Sequence, residues 1–190
     1  MPITINGSGT VAGLSVGGIN DGAIAHADLA TSTQPLFTSY AIICDEKSDG
    51  TNGGGFTKDA WQDRDLNTEL IDPDNIVTIS SDEFTLPNAG TYFIEWSAPA
   101  FKVVDHISRL YDVTGAAALQ TGFNQTAHDN YGLVMSRSEG FHRHTITGSN
   151  TYKIQHWCNW TQASNGFGHA VAPSGTVERY TWVKIFKEAS

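Results

Sequence analysis

The chain has 190 residues, 39% of them hydrophobic, with five Trp, six Tyr and nine Phe; that is bulk enough for one core and too much for a disordered chain. Eleven basic residues against twenty acidic ones leave a net charge of -9, so a phosphate backbone is repelled, and neither nucleic-acid binding nor membrane insertion is expected. Cys44 and Cys158 are too few and too far apart for a disulfide framework or a CxxC site, and are expected as buried free thiols.

Residues 1–35 differ from the rest. They hold six glycines by Gly22, and only Asp21 and Asp28 as charges. Ile3, Ile5, Val11, Leu14, Val16, Ile19, Ile24 and Leu29 recur too sparsely to build a core. Glycine at this density opposes helix and permits close approach of neighbouring chains. The segment is expected to be an arm that orders against sister chains or a larger assembly. The opening Met1-Pro-Ile-Thr-Ile5, with no Lys or Arg before Lys47, lacks a secretory pattern, so synthesis in a host cytoplasm is expected.

From residue 36 to 190 the pattern is β throughout. Strands or strand pairs are predicted at Phe37–Asp45, Trp61–Leu70, Asn75–Leu86, Gly90–Ala100 and His106–Thr114. Leu133–Ile146, Tyr152–Trp160, Gly166–Val171 and Glu178–Lys187 complete the set, and Gly53-Gly-Gly-Phe-Thr-Lys58 reads as a surface loop. Turn signals at Asp49-Gly50, Asp72-Pro-Asp74, Pro87-Asn-Ala-Gly90, Gly148-Ser-Asn150 and Pro173-Ser-Gly175 separate them. This spacing, with no sustained helical period, predicts an all-β jelly-roll sandwich behind the arm.

The strand faces point to an oligomer. Tyr92, Ile94 and Trp96 oppose Phe93, Glu95 and Ser97; Ile154, His156 and Cys158 oppose Gln155 and Trp157; Tyr180, Trp182 and Phe186 oppose Thr181, Val183 and Ile185. A strand with one solvated face alternates apolar and polar. Large side chains on both faces imply that an outer face is covered by another subunit, with the Trp157 ring expected there.

Several phrases together resemble the trimeric jelly rolls of the C1q and tumour-necrosis-factor type, in the version found on bacteriophage fibres and other virion proteins. They are Trp61-Gln-Asp-Arg-Asp-Leu-Asn-Thr68, Phe84-Thr-Leu-Pro-Asn-Ala-Gly-Thr-Tyr92, Arg109-Leu-Tyr111, Tyr152-Lys-Ile-Gln-His156 and Glu178-Arg-Tyr-Thr-Trp-Val-Lys-Ile185. The stretches Gly9-Thr-Val-Ala-Gly-Leu14, Gly17-Gly-Ile-Asn-Asp-Gly22 and Ala27-Asp-Leu-Ala30 are similar to segments that precede domains in phage tail fibres. The resemblance implies a homotrimer whose inner sheets face a three-fold axis. It also implies a virion structural protein, a fibre or spike that joins other virion proteins through its arm and presents the jelly roll to a host glycan or surface protein. The alternatives are a capsid decoration protein and a carbohydrate-active sandwich enzyme.

No cofactor is expected, and no G-x-S-x-G or P-loop motif occurs. Asp63, Asp65 and Glu69 share one face if Trp61–Leu70 is a single strand, where paired carboxylates would serve hydrolysis or calcium; a solvated face is the plainer reading. Asp72-Pro-Asp74-Asn75 reads as a turn before a calcium loop. His142 and His144 point the same way in a strand, roughly 6–7 Å apart. Three such pairs on a three-fold axis would offer six imidazoles to a transition metal; the plainer reading is two half-exposed histidines.

Overall fold

Strands form where β-branched and aromatic residues concentrate, and the chain reverses at the Gly, Pro, Asn and Asp clusters. The computed structural model describes residues 35–127 and 133–189, so the arm expected over 1–35 lies, except for Pro35, outside the described residues. The strands are β1 (Phe37–Lys47), β2 (Gln62–Asp63), β3 (Thr68–Ile71), β4 (Thr78–Ser80), β5 (Glu83–Leu86) and β6 (Gly90–Phe101). They continue with β7 (Val104–Asp112), β8 (Ala117–Thr121), β9 (Gln125–Ala127), β10 (Met135–Ile146), β11 (Asn150–Cys158) and β12 (Glu178–Glu188). One sheet has five strands in the order β10-β6-β12-β1-β3. The other runs β4-β5-β11-β7-β8, with β2 also on β11 and β9 also on β7. The chain changes sheet between β6 and β7, between β10 and β11, and between β11 and β12, which makes the sandwich a jelly roll.

The core lies between the sheets. Ile43, Ile94, Trp96, Val183 and Ile185 come from the five-stranded sheet and meet Phe84, Leu86, Leu110, Tyr152 and Ile154 from the other. A second cluster holds Phe56, Ala100, Val103, Cys158 and Phe167. Trp96 fits because position 140 is glycine: a Cβ there would lie 2.2 Å from the indole Cζ2. The indole Nε1 donates to Ser108 Oγ at 2.8 Å, and Ser108 in turn bonds Ser138 Oγ at 2.9 Å. A polar line thus crosses the layers with its donors satisfied.

Three sequence expectations change. Trp61–Leu70 is two strands in different sheets, because the chain crosses between layers at Arg64. That guanidinium is fully buried and donates to Thr181 Oγ1 (2.7 Å), Pro99 O (3.2 Å) and Phe167 O (2.8 Å), with its Cζ 4.0 Å from the Phe167 ring centroid. Burial lowers its pKa to about 9, so it is still charged at neutral pH. Gly166–Val171 is not a strand, since its backbone bonds two separate segments, at Gly53 and Gly54 and at Phe101. The glycine-rich 53–58 loop is not merely surface: Phe56 within it is fully buried. Both cysteines are free and buried.

Candidate assembly face

Alternation along the five-stranded sheet turns one set of side chains into the core and the other outward. The outward set joins strands far apart in sequence. Phe141 on β10 stands beside Glu95 on β6, Lys184 on β12 and Ile42 on β1; the next row runs Arg143, Phe93, Phe186 and Tyr40. Phe93 and Phe141 stack with centroids 6.0 Å apart, Phe37 and Phe186 at 5.1 Å, and Phe123 reaches Phe141 from the β8–β9 loop at 6.5 Å. Phe141, Tyr40 and Ile71 are exposed, at 55%, 43% and 41%. A depression of about 400 Å³ lies on the same face, lined by Ile42, Cys44, Leu70 and Trp182 among others.

The charges of this face cancel. Arg143 Nε donates to Glu188 Oε1 at 2.7 Å, Lys184 Nζ lies 3.5 Å from Glu95, and Arg137 donates to the Tyr180 carbonyl at 3.2 Å. Ser97 Oγ donates to Glu139 at 3.2 Å. Arg137, Arg143 and Lys184 stand against Glu95, Glu139 and Glu188, so the face is neutral on a chain of net charge -9. Pairing within the face spares it the steeper penalty that an unpaired charge would carry if the face were covered.

The outer face of the seven-stranded sheet has other chemistry. Lys153 Nζ donates to Asp63 Oδ2 (2.9 Å), Gln155 Nε2 to Asp63 Oδ1 (2.8 Å) and Arg109 to Gln155 Oε1 (2.6 Å). The Arg109 guanidinium lies 4.0 Å over Trp61. Trp157 stands on this side, paired across the strands with Ile107. The two outer faces point away from each other, so the Trp157 ring and the Phe141 cluster lie on opposite faces of one copy.

The candidate site residues of the sequence are dispersed. Asp63 belongs to β2, Asp65 pairs with Lys47, and Glu69 is exposed on β3 in the other sheet, so the three carboxylates make no common site. Asp72 accepts from the backbone N–H groups of Ile76 (2.9 Å) and Val77 (3.0 Å), which makes that stretch a turn. His142 and His144 do share a side, with ring centroids 5.6 Å apart. It is the inner side of β10, where His144 Nδ1 meets Tyr152 Oη at 3.1 Å, opposite to the face of Phe141. An axis passing the Phe141 face would not gather these imidazoles. Among the described residues, no three His, Cys, Asp or Glu side chains are placed to hold a metal.

One buried chain has hydrolase-like spacing: Ser136 Oγ lies 2.7 Å from His106 Nε2, and His106 Nδ1 lies 2.9 Å from His156 Nε2. Ser136 Oγ also lies 3.2 Å from the Thr126 carbonyl, which competes with His106 for the hydroxyl proton. The third member is a neutral imidazole, not a carboxylate that would stabilise imidazolium. Desolvation, with the Arg64 charge, lowers His106 to about 4 and His156 well below the usual histidine range. The chain packs the interior and is not arranged as a base.

Sequence reading missed the cross-strand meeting of Phe141, Phe93, Phe186 and Tyr40, whose residues come from four strands. The one usable signal was the alternation of Phe141 with His142 in β10.

No family model and no curated protein matches the chain. Solved structures do. Eiger, a TNF protein from S. frugiperda, superposes with a TM-score of 0.51 at 11% identity, over 82% of this chain and 94% of that one. Murine APRIL gives 0.48 at 9% identity over 78% and 98%, and the globular domain of zebrafish complement 1qA protein 0.45 at 13% over 78% and 94%. The likeness to Eiger is one of fold alone, and the fold is the C1q/TNF-like jelly roll.

Proposed function

We propose that this chain is a virion structural protein, a homotrimeric fibre or spike of a bacteriophage. Three copies close around an axis lined by the outer faces of their five-stranded sheets. The observation that carries the reading is the neutral apolar face around Phe141, Phe93, Phe186 and Trp182, on a surface whose overall charge is otherwise strongly negative. The charges of the face are already paired within one copy, and a ring of three, joined head to tail, closes with no residual edge. The Gly-rich segment before residue 36 supplies an arm that orders against the particle. Three linked jelly rolls then present the same outward surface to a host cell, where avidity makes weak contacts firm. Binding, not chemistry, is the mechanism.

Deleting residues 1–35 tests this reading. The remaining chain, residues 36–190, holds the whole described core and is expected to fold and assemble, yet to be missing from purified particles. Truncated protein that still joins the particle would move docking onto the jelly roll and favour a decoration protein. Truncated protein that fails to fold would make the arm part of the domain.

A further inference from the structure

Beyond the assembly face, a cavity of about 410 Å³ opens at the end of the seven-stranded sheet, where β7, β9 and β11 meet. Its volume lies within the range of small-ligand sites. The lining mixes an aromatic wall with fixed polar groups: Trp157 and Ile107 on one side, Asp105, Asn124, Gln125 and Thr126 on the other, with His106 also contributing.

Asp105 is held in place on all sides. Its Oδ1 accepts from Thr126 Oγ1 at 3.0 Å and its Oδ2 from Asn159 Nδ2 at 2.7 Å, while its own N–H donates to Asn159 Oδ1 at 2.9 Å. An ionised carboxylate has about four acceptor positions. Two are used here, and the carboxylate stays exposed. The preceding residue, Val104, has φ of 64°, a conformation a β-branched side chain rarely adopts. Strain of this kind concentrates where a structure presents a group for use. Asn124 and Gln125 add two amides, and among the described residues neither their side chains nor the Trp157 indole N–H has a hydrogen-bond partner.

We propose that this cavity binds a neutral saccharide, with a sugar ring laid against the Trp157 indole and its hydroxyls bonded by Asp105, Asn124 and Gln125. A hydroxyl both donates and accepts, so it matches a carboxylate that only accepts beside amides that do both. The apolar face of a pyranose suits a flat aromatic wall. The ligand carries no negative charge because, among the described residues of the lining, Asp105 is the one ionised group: burial keeps His106 uncharged at neutral pH, and no Lys or Arg is among them. A carboxylated or phosphorylated sugar would meet a like charge. This narrows the host-surface part of the proposed function to one site and one ligand class. The cavity lies on the side away from the assembly face, so each copy carries its own and binding does not require the trimer.

The test follows the indole N–H resonance of Trp157 by protein NMR during titration of the full chain. The probes are the methyl glycosides of glucose, galactose, mannose and N-acetylglucosamine with their disaccharides, and sialyllactose as the anionic control, all at millimolar concentration. At least one neutral sugar is expected to shift the resonance saturably while sialyllactose does not. Asn124→Ala, an exposed change that breaks no bond among the described residues, and Asp105→Asn should each weaken that binding about tenfold or more, with the oligomer unchanged. Silence from every neutral sugar would overturn the proposal, as would binding that both variants retain or a preference for sialyllactose. A trimer that fails to bind sugar sinks this inference alone, whereas a monomer that binds sugar sinks the assembly reading alone.

Discussion

The two outer faces of the sandwich are built from the same fold and alternation, yet they carry opposite chemistry. On the five-stranded sheet, aromatic side chains from β1, β6, β10 and β12 meet, and the charges among them cancel. On the seven-stranded sheet, Lys153, Asp63, Gln155 and Arg109 form a hydrogen-bonded polar network, with Trp61 and Tyr111 beneath the cations. Solvent tolerates the second surface at no cost, because a partly exposed ion pair gains about as little as it loses. The first stays in water only at a cost, since apolar area contributes roughly 25 cal/mol per Å² when covered. The two sheets of one jelly roll thus differ in what covering their outer faces would gain.

The largest expected effect breaks the first face. Phe141→Glu combined with Trp182→Glu places two further carboxylates per copy on this face, and desolvating a carboxylate costs several kcal/mol. Sedimentation should then find folded monomer, whereas Tyr111→Glu on the other sheet should leave assembly intact. Dissociation by the Tyr111 change would exchange the roles of the faces.

Next in size is the response to acid of the interior between them. The folded pKa of His106, about 4, lies below the ordinary 6.5, and His156 is depressed in the same direction. The unfolded chain therefore binds more protons in this window. Stability is full above about pH 6.5 and falls as pH drops toward 4, by on the order of 3 kcal/mol for His106 alone. Thermal melts at pH 7 and pH 4.5 should show the loss, and His106→Gln should flatten the slope. A wild-type melting temperature unchanged across this range would contradict the burial.

A smaller effect is expected from Gly140→Ala, whose Cβ would press the Trp96 ring and cost about 1–3 kcal/mol in chemical denaturation. A loss no larger than that of an exposed substitution would mean that the indole shifts freely. Smallest is Asp63→Asn, which removes the Lys153 partner on the polar face; it should cost under about 1 kcal/mol and leave the oligomer unchanged.

The fold was legible in the sequence because strands such as Gly90–Phe101 and Glu178–Glu188 carry their β preference locally, in Tyr, Phe, Ile, Val and Trp. β8 and β9 were not, since Ala117–Thr121 and Gln125–Ala127 have little such preference and become strands only by pairing with β7. The change of sheet within Trp61–Leu70 was not legible, because a fully buried Arg64 has no signature in a pattern that assigns arginine to solvent. The site was harder for a related reason. That some outer face is covered could be read from aromatics on both sides of three strands. Which face it is depends on sheet order, and Tyr40, Phe93, Phe141 and Phe186 become neighbours only once β1, β12, β6 and β10 lie side by side. The Asp105–Asn159 clasp spans 54 residues and carries no local motif.

The central claim is that the five-stranded face closes on copies of itself, and multi-angle light scattering of the purified chain at micromolar concentration measures this directly. The account predicts a single species of three times the 20.5 kDa chain mass, unchanged on dilution through that range. A 20.5 kDa monomer would leave the Phe141 face open to water and contradict the account.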